Sequence, residues 1–260
     1  MSNKHEFTVG IYRADEYQDY GELNMPFTFY EYQDALEKAR FLEGHTPVTI
    51  EFTYIKQDCL RFLFDMGDGT FENTNDLLEL NLLSQQLAEM DIALLDCFEA
   101  QVRLEQKNPN PGESIPLARL INLTYQTSDC LPAYGIHSNA ELGRFLFEND
   151  MLSDDEYNHT TALEERNNGK IPVEWLTLIG RQHLEDHNGV ITKQGYFECP
   201  EEIPETYKRG EMDYFNQHSA PVILEIGNPF SKNENGKFMT ICLPANNIEL
   251  NHLLICLLLN

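Results

Sequence analysis

Basic residues are scarce in this chain: 18 lysines and arginines stand against 43 aspartates and glutamates in 260 residues. A formal charge of −25 is repelled by phosphate, which excludes a direct binder of nucleic acid or of an anionic membrane. No basic stripe offsets it. Long hydrophobic runs are missing too. The longest, LLICLLL at 253–259, is far short of the roughly 20 residues that span a bilayer. The opening MSNKHEFTVGIYR has no apolar h-region, so no secretory leader is expected and the expected location is cytoplasmic. The six cysteines include no CxxC pair, which argues against a zinc ribbon and a dense disulfide scaffold and for free thiols. GxSxG, Walker and GxGxxG signatures are absent as well, so neither a nucleophile elbow nor a phosphate cradle is expected, and no cofactor.

What is present is enough apolar residue, 42% with 11% aromatic, for ordered cores. The acid is front-loaded: residues 1–100 carry 20 acids and 6 bases. Residues 7–12 read as a strand, followed by an acidic, aromatic loop at Ala14–Glu22. Thr28 and Glu31 have capping-box spacing and open a helix. Residues 48–55 and 59–64 are both β-rich, and Gly67-Asp68-Gly69 supplies a turn. Leucines 77, 80, 83 and 87 mark one face of a helix over 76–90, and a second covers 92–106 with Leu95, Phe98 and Val102 inward. Two prolines and a glycine make Asn108–Glu113 a linker.

Beyond the linker, Pro116 opens a helix to about Tyr125, and Ser138 with Glu141 opens another. Residues 150–170 read as polar and irregular. Pro172 starts a helix through Leu184 that Gly189 closes, and 190–197 is a short hairpin. Pro26–Leu36 aligns without gaps on Pro244–Leu254, each after a strand–loop–strand stretch, which suggests a repeated unit. The expected organisation is α+β in small units: 1–107, 114–200, and 201–260 as an extra segment with the partial repeat.

Candidate chemistry is sparse. His183 and His187 stand four apart on one helix face, as a metal pair requires. A zinc protease places glutamate directly after its first histidine, where Leu184 stands, so a solvated helix end is expected and no metal. Asp65–Gly69 has the flavour of a calcium loop but lacks its later ligands, so a hairpin turn is expected. Arg144 and Arg181, each after a glycine, either bind an anion or pair with the surplus carboxylates. Trp175 is expected in the core. No catalytic residue is assigned.

The acids themselves are the candidate surface. Asp15, Glu16, Asp19 and Glu22 form one group, and Asp150, Asp154, Asp155 and Glu156 another. Glu164 and Glu165, Asp65 and Asp68, Asp76 and Glu79, and Glu185 and Asp186 complete it. They are interleaved with Tyr12, Tyr17, Tyr20 and Tyr157 rather than collected in a low-complexity tail. Ordered carboxylates at phosphate-like spacing would offer a basic partner a substitute for DNA, which carries about one charge per 1.7 Å of axis.

Three segments resemble the ArdA-type antirestriction proteins of mobile genetic elements, closest to longer relatives carried by conjugative elements of gut Firmicutes. They are Glu79–Asp91 (ELNLLSQQLAEMD), Ser138–Leu146 (SNAELGRFL) and Ile179–Phe197 (IGRQHLEDHNGVITKQGYF). The last contains Gly180-Arg181, Glu185-Asp186, Gly189 and Gly195-Tyr196 in the family order. The resemblance implies a non-enzymatic homodimer, an elongated string of small α+β domains. It also implies that these domains mimic B-DNA and occupy the DNA groove of type I restriction–modification enzymes. A competing expectation is an accessory or scaffold protein of a mobile element that binds a basic protein without imitating DNA.

Overall fold

The computed structural model describes residues 5–13, 16–40, 48–64, 74–107, 115–209, 222–226 and 239–243. The architecture is mixed α+β, and the chain divides into two compact units. One comprises the residues up to Ala88 together with those from Gly210, the other Glu89–Arg209. The expected linker at Asn108–Glu113 lies outside the described residues.

In the first unit, β1 (Phe7–Arg13) is the centre of an antiparallel sheet between β2 (Glu16–Met25) and β3 (Val48–Ile55). The period-two pattern decides the faces. Phe7, Val9 and Ile11 are buried opposite Met25, Leu23 and Gly21. The register slips between Thr8 and Val9, where a bulge adds one residue to β3. The extra residue is why Ile50 and Phe52 are buried and then Ile55, not Tyr54. The acidic stretch expected as a loop is thus largely strand: alternation of Gly21, Leu23 and Met25 inward with Glu22 and Asn24 outward pairs it with β1.

Helix α1 (Phe29–Lys38) starts at the Thr28–Glu31 capping box, both reciprocal hydrogen bonds being made. Residues 58–64 form a 3₁₀ helix instead of a strand. It buries Cys59, Leu60 and Leu63, the two leucines one three-residue turn apart. Helix α2 (Thr74–Glu89) buries the four expected leucines, but also Asp76, Glu79, Asn81, Leu82 and Ser84. It is a central helix and not an amphipathic surface one. Asn81 fixes it to the turn before α1: its Oδ1 accepts from the Phe27 N–H at 2.7 Å and its Nδ2 donates to the Phe27 carbonyl at 3.1 Å.

In the second unit, α3 (Ile92–Gln106) is capped by Asp91, and α4 (Leu117–Thr124) follows Pro116. A three-stranded antiparallel sheet has the order β4 (Leu131–Tyr134), β6 (Gly195–Glu198), β5 (Gly189–Ile191). Alternation along β6 splits the core. Phe197, with Val190, packs on Cys97 and Ala100 of α3 and on Cys130 and Cys199. Tyr196 points the other way, to Leu142 and Leu146 of α5 (Asn139–Glu148) and Ile179 of α7 (Val173–Asp186). The sheet therefore carries α3 on one face and the α5–α7 pair on the other. Three of the six cysteines, scattered in sequence, converge here, Cys97, Cys130 and Cys199, and Cys130 Sγ lies 3.5 Å from Cys199 Sγ.

The α5–α7 crossing explains the two Gly-Arg steps. A Cβ on Gly180 would fall 1.9 Å from the Asn139 carbonyl oxygen, and one on Gly143 2.1 Å from that of Leu176. The glycines let the backbones touch, and the arginines beside them point to solvent. Residues 150–170, expected to be irregular, contain helix α6 (Asp154–Arg166), opened by a Ser153–Glu156 capping box. Trp175 ties it to α7, its Nε1 donating to Thr160 Oγ1 at 2.9 Å while the ring stays half-buried. Gly189 does not close α7 but begins β5. Asn188, at φ 45°, makes the left-handed turn instead.

Strands β7 (Val222–Ile226) and β8 (Met239–Leu243) pair antiparallel, as β1 and β2 do. The second copy of the suspected repeat, Pro244–Leu254, lies outside the described residues. Among the described residues no helix is long and apolar enough to cross a membrane.

Candidate functional site

The structure sorts the candidate acids into three groups. Asp15, Asp65 and Asp68 lie outside the described residues, with the whole Asp65–Gly69 stretch, and Glu16 and Asp19 fall within β2. Asp76 and Glu79 are corrected: they are 5% and 0% exposed in α2 and cannot face a partner. Their burial is a tertiary fact that a count of acids does not contain. Glu22, Asp150, Asp154, Asp155, Glu165, Glu185 and Asp186 are exposed, while Glu156 and Glu164 are half-buried.

All of the exposed set but Glu22 belong to the second unit, where residues 150–186 hold nine acids and three bases. Local folding accounts for some of them. Asp154, Asp155 and Glu156 sit in the first turn of α6, where the helix dipole favours anions. Glu164 and Glu165 close α6, and Glu185 and Asp186 close α7. A carboxylate in a last turn opposes the dipole by about 0.3–1 kcal/mol. Helix stability does not explain those four.

Between the end of α7 and β6 a second grouping forms. The β5–β6 hairpin sets Glu198 opposite Gly189, two residues after His187. His183, His187 and Glu198 each offer one ligand atom, and these atoms all lie within 4.8 Å of one another. His183 Nε2 is 3.9 Å from Glu198 Oε2, and His187 Nδ1 is 3.8 Å from Oε1. These separations are too long for hydrogen bonds. The two imidazoles stack with centroids 4.2 Å apart.

The expectation of a solvated helix end fails for His183, whose side chain is only 11% exposed. Its Nε2 is buried with no hydrogen-bond partner. Burial, then the neighbouring His187, lowers its pKa, against the opposing pull of Glu198, Asp186 and Glu156. The Tyr196 hydroxyl donates to Glu198 Oε2 at 3.4 Å, and burial with the Glu198 charge pushes that phenol up. Gly189 is needed beside it: a Cβ there would meet the Tyr196 ring at 2.7 Å.

The chain matches no known protein-family model and no curated protein. Function therefore rests on the residues themselves. Sequence reasoning found the histidine pair and the hairpin but not Glu198. The signal was available, because extending the hairpin by one pair beyond residues 190–197 brings position 198 back to the helix end. Of the two arginines, Arg144 lies 3.9 Å from Glu148, and Arg181 is exposed on α7. A separate groove of about 410 Å³ runs between α3, α4 and residues 199–203, where Arg119 is engaged by Glu105 at 3.0 Å.

Proposed function

We propose that this protein is a non-catalytic DNA mimic, acting as a homodimer, that binds type I restriction–modification enzymes in competition with DNA. The observation that carries the reading is the acid in the last turns of α6 and α7, where local energetics oppose it and solvent meets Glu165, Glu185 and Asp186. A net charge of −25 supplies the long-range attraction to a basic groove. The resemblance of Ile179–Phe197 to ArdA-type proteins names the class of target.

The test is inhibition of a purified type I endonuclease at several salt concentrations. Inhibition is expected to be stoichiometric and to weaken as salt rises, since the Debye length is already about 8 Å at physiological ionic strength. Glu165, Glu185 and Asp186 changed together to Lys should weaken it at least tenfold. Glu201, Glu202 and Glu205, also exposed, changed the same way should weaken it less than threefold. Equal losses would reduce the effect to that of any polyanion, and no inhibition by the unchanged protein at low salt would end the reading.

A further inference from the structure

We propose that His183, His187 and Glu198 bind one divalent transition-metal ion of the zinc class. The end of one helix and one strand make the site. Helix α7 supplies His183 one turn before its end, and His187 caps that helix with its N–H on the His183 carbonyl at 3.0 Å. The left-handed Asn188 turns the chain into β5, and β6 returns Glu198 alongside.

The decisive observation is the buried, unpartnered Nε2 of His183. A polar atom buried without a partner costs about 1–3 kcal/mol, and folded proteins rarely leave one. Here the Glu198 carboxylate stands 3.9 Å away, just beyond hydrogen-bonding reach. Donor atoms around a tetrahedral zinc stand about 3.3 Å apart, given metal–ligand bonds of about 2.0–2.1 Å. The separations, 3.9 Å from His183 to one carboxylate oxygen, 3.8 Å from His187 to the other and at most 4.8 Å among the three donors, close to that by rotations of His187 and Glu198, the two more exposed members.

The donor chemistry selects the ion. Two imidazoles and one carboxylate suit zinc, cobalt or nickel, whereas magnesium and calcium prefer all-oxygen sites. The Tyr196 hydroxyl on Glu198 is the outer contact that orients a ligating carboxylate. Three protein ligands leave a fourth position for water. An ion there would pin the end of α7, and with it Glu185 and Asp186, to the sheet. The site does not depend on the proposed DNA mimicry.

The experiment is a cobalt(II) titration of the full chain, stripped with chelator, followed by visible absorption. One cobalt per chain with the intense bands of tetrahedral coordination is expected, displaced by equimolar zinc(II). His187→Ala and Glu198→Gln should each weaken binding at least tenfold while keeping the urea midpoint of the metal-stripped protein. Zinc should raise the midpoint of the unchanged protein and not of the variants, and magnesium should raise neither. Substoichiometric binding, cobalt bound without those bands, or variants that retain full affinity would overturn the proposal, the last by moving binding to the acidic surface.

Discussion

The two units differ in how many carboxylates they bury. Among the described residues the first keeps Glu22, Glu31, Asp34, Glu37, Glu51 and Asp58 exposed but takes three acids inward: Glu6, Asp76 and Glu79 are buried, Glu6 against Lys56 and Gln57. The second buries Glu99, held by Arg103 at 2.9 Å, and sends the acids of α6 and α7 outward. Yet the first hundred residues carry the larger formal excess. Charge counted along a chain is therefore a poor map of charge shown to a partner, because burial is decided by the helix a residue happens to occupy. The units share one device. A helix asparagine grips both backbone groups of a distant residue, Asn81 on Phe27 in the first and Asn122 on Tyr207 in the second. Neither Phe27 nor Tyr207 lies in a strand, so no ladder is there to satisfy its N–H and carbonyl.

The contrast in acids gives the largest expected effect. Glu79→Lys places a cation at a fully buried position and should cost about 3 kcal/mol or more in urea denaturation. Glu165→Lys on exposed α6 should stay within about 0.5 kcal/mol. Similar costs would erase the distinction between inward and outward acids.

Next comes the helix crossing of the second unit. Gly180→Ala forces backbone against backbone and should cost about 2–3 kcal/mol, although alanine is the better helix former. A stabilised variant would show that the α5–α7 approach is looser than described.

The shared clamp sharpens the comparison from the other side. Asn81→Ala and Asn122→Ala should each lose about 2 kcal/mol, the cost of stranding buried backbone groups. A loss in one unit only would mean that the other reaches water or a second partner for those groups.

The smallest effect is chemical and not energetic. Burial, then the adjacent Cys130, pushes the Cys97 thiol up to about 12, so at pH 8 only about one molecule in 10⁴ carries the reactive thiolate. Alkylation followed by peptide mass spectrometry should leave Cys97 unmodified until urea unfolds the chain. Rapid labelling of the native protein would place that residue nearer to solvent.

Several of these features could be read directly from the residues. Capping boxes are local, so Thr28–Glu31 announced α1, and Ser153–Glu156 announces α6 by the same spacing, though the polar run around it suggested irregular chain. Period-two and helical patterns placed β1, β3, α2 and α3 because each pattern states which face of a short element meets a core. At residues 59–64 a β-rich composition was outweighed by packing that buries Cys59, Leu60 and Leu63 from a 3₁₀ helix.

The sequence alone settled the short-range matters: where the capped helices α1 and α5 begin, which segments alternate, and that the formal charge is −25. Hydrogen bonds across three or four residues and the sign of a charge require no partner from elsewhere in the chain. Only the tertiary structure decided that Asp76 and Glu79 are inside, that Gly143 and Gly180 sit where two helices touch, and that Glu198 joins His183 and His187. Those outcomes depend on which elements pack together. Burial and convergence are properties of pairs of distant segments, and no window along the chain contains both.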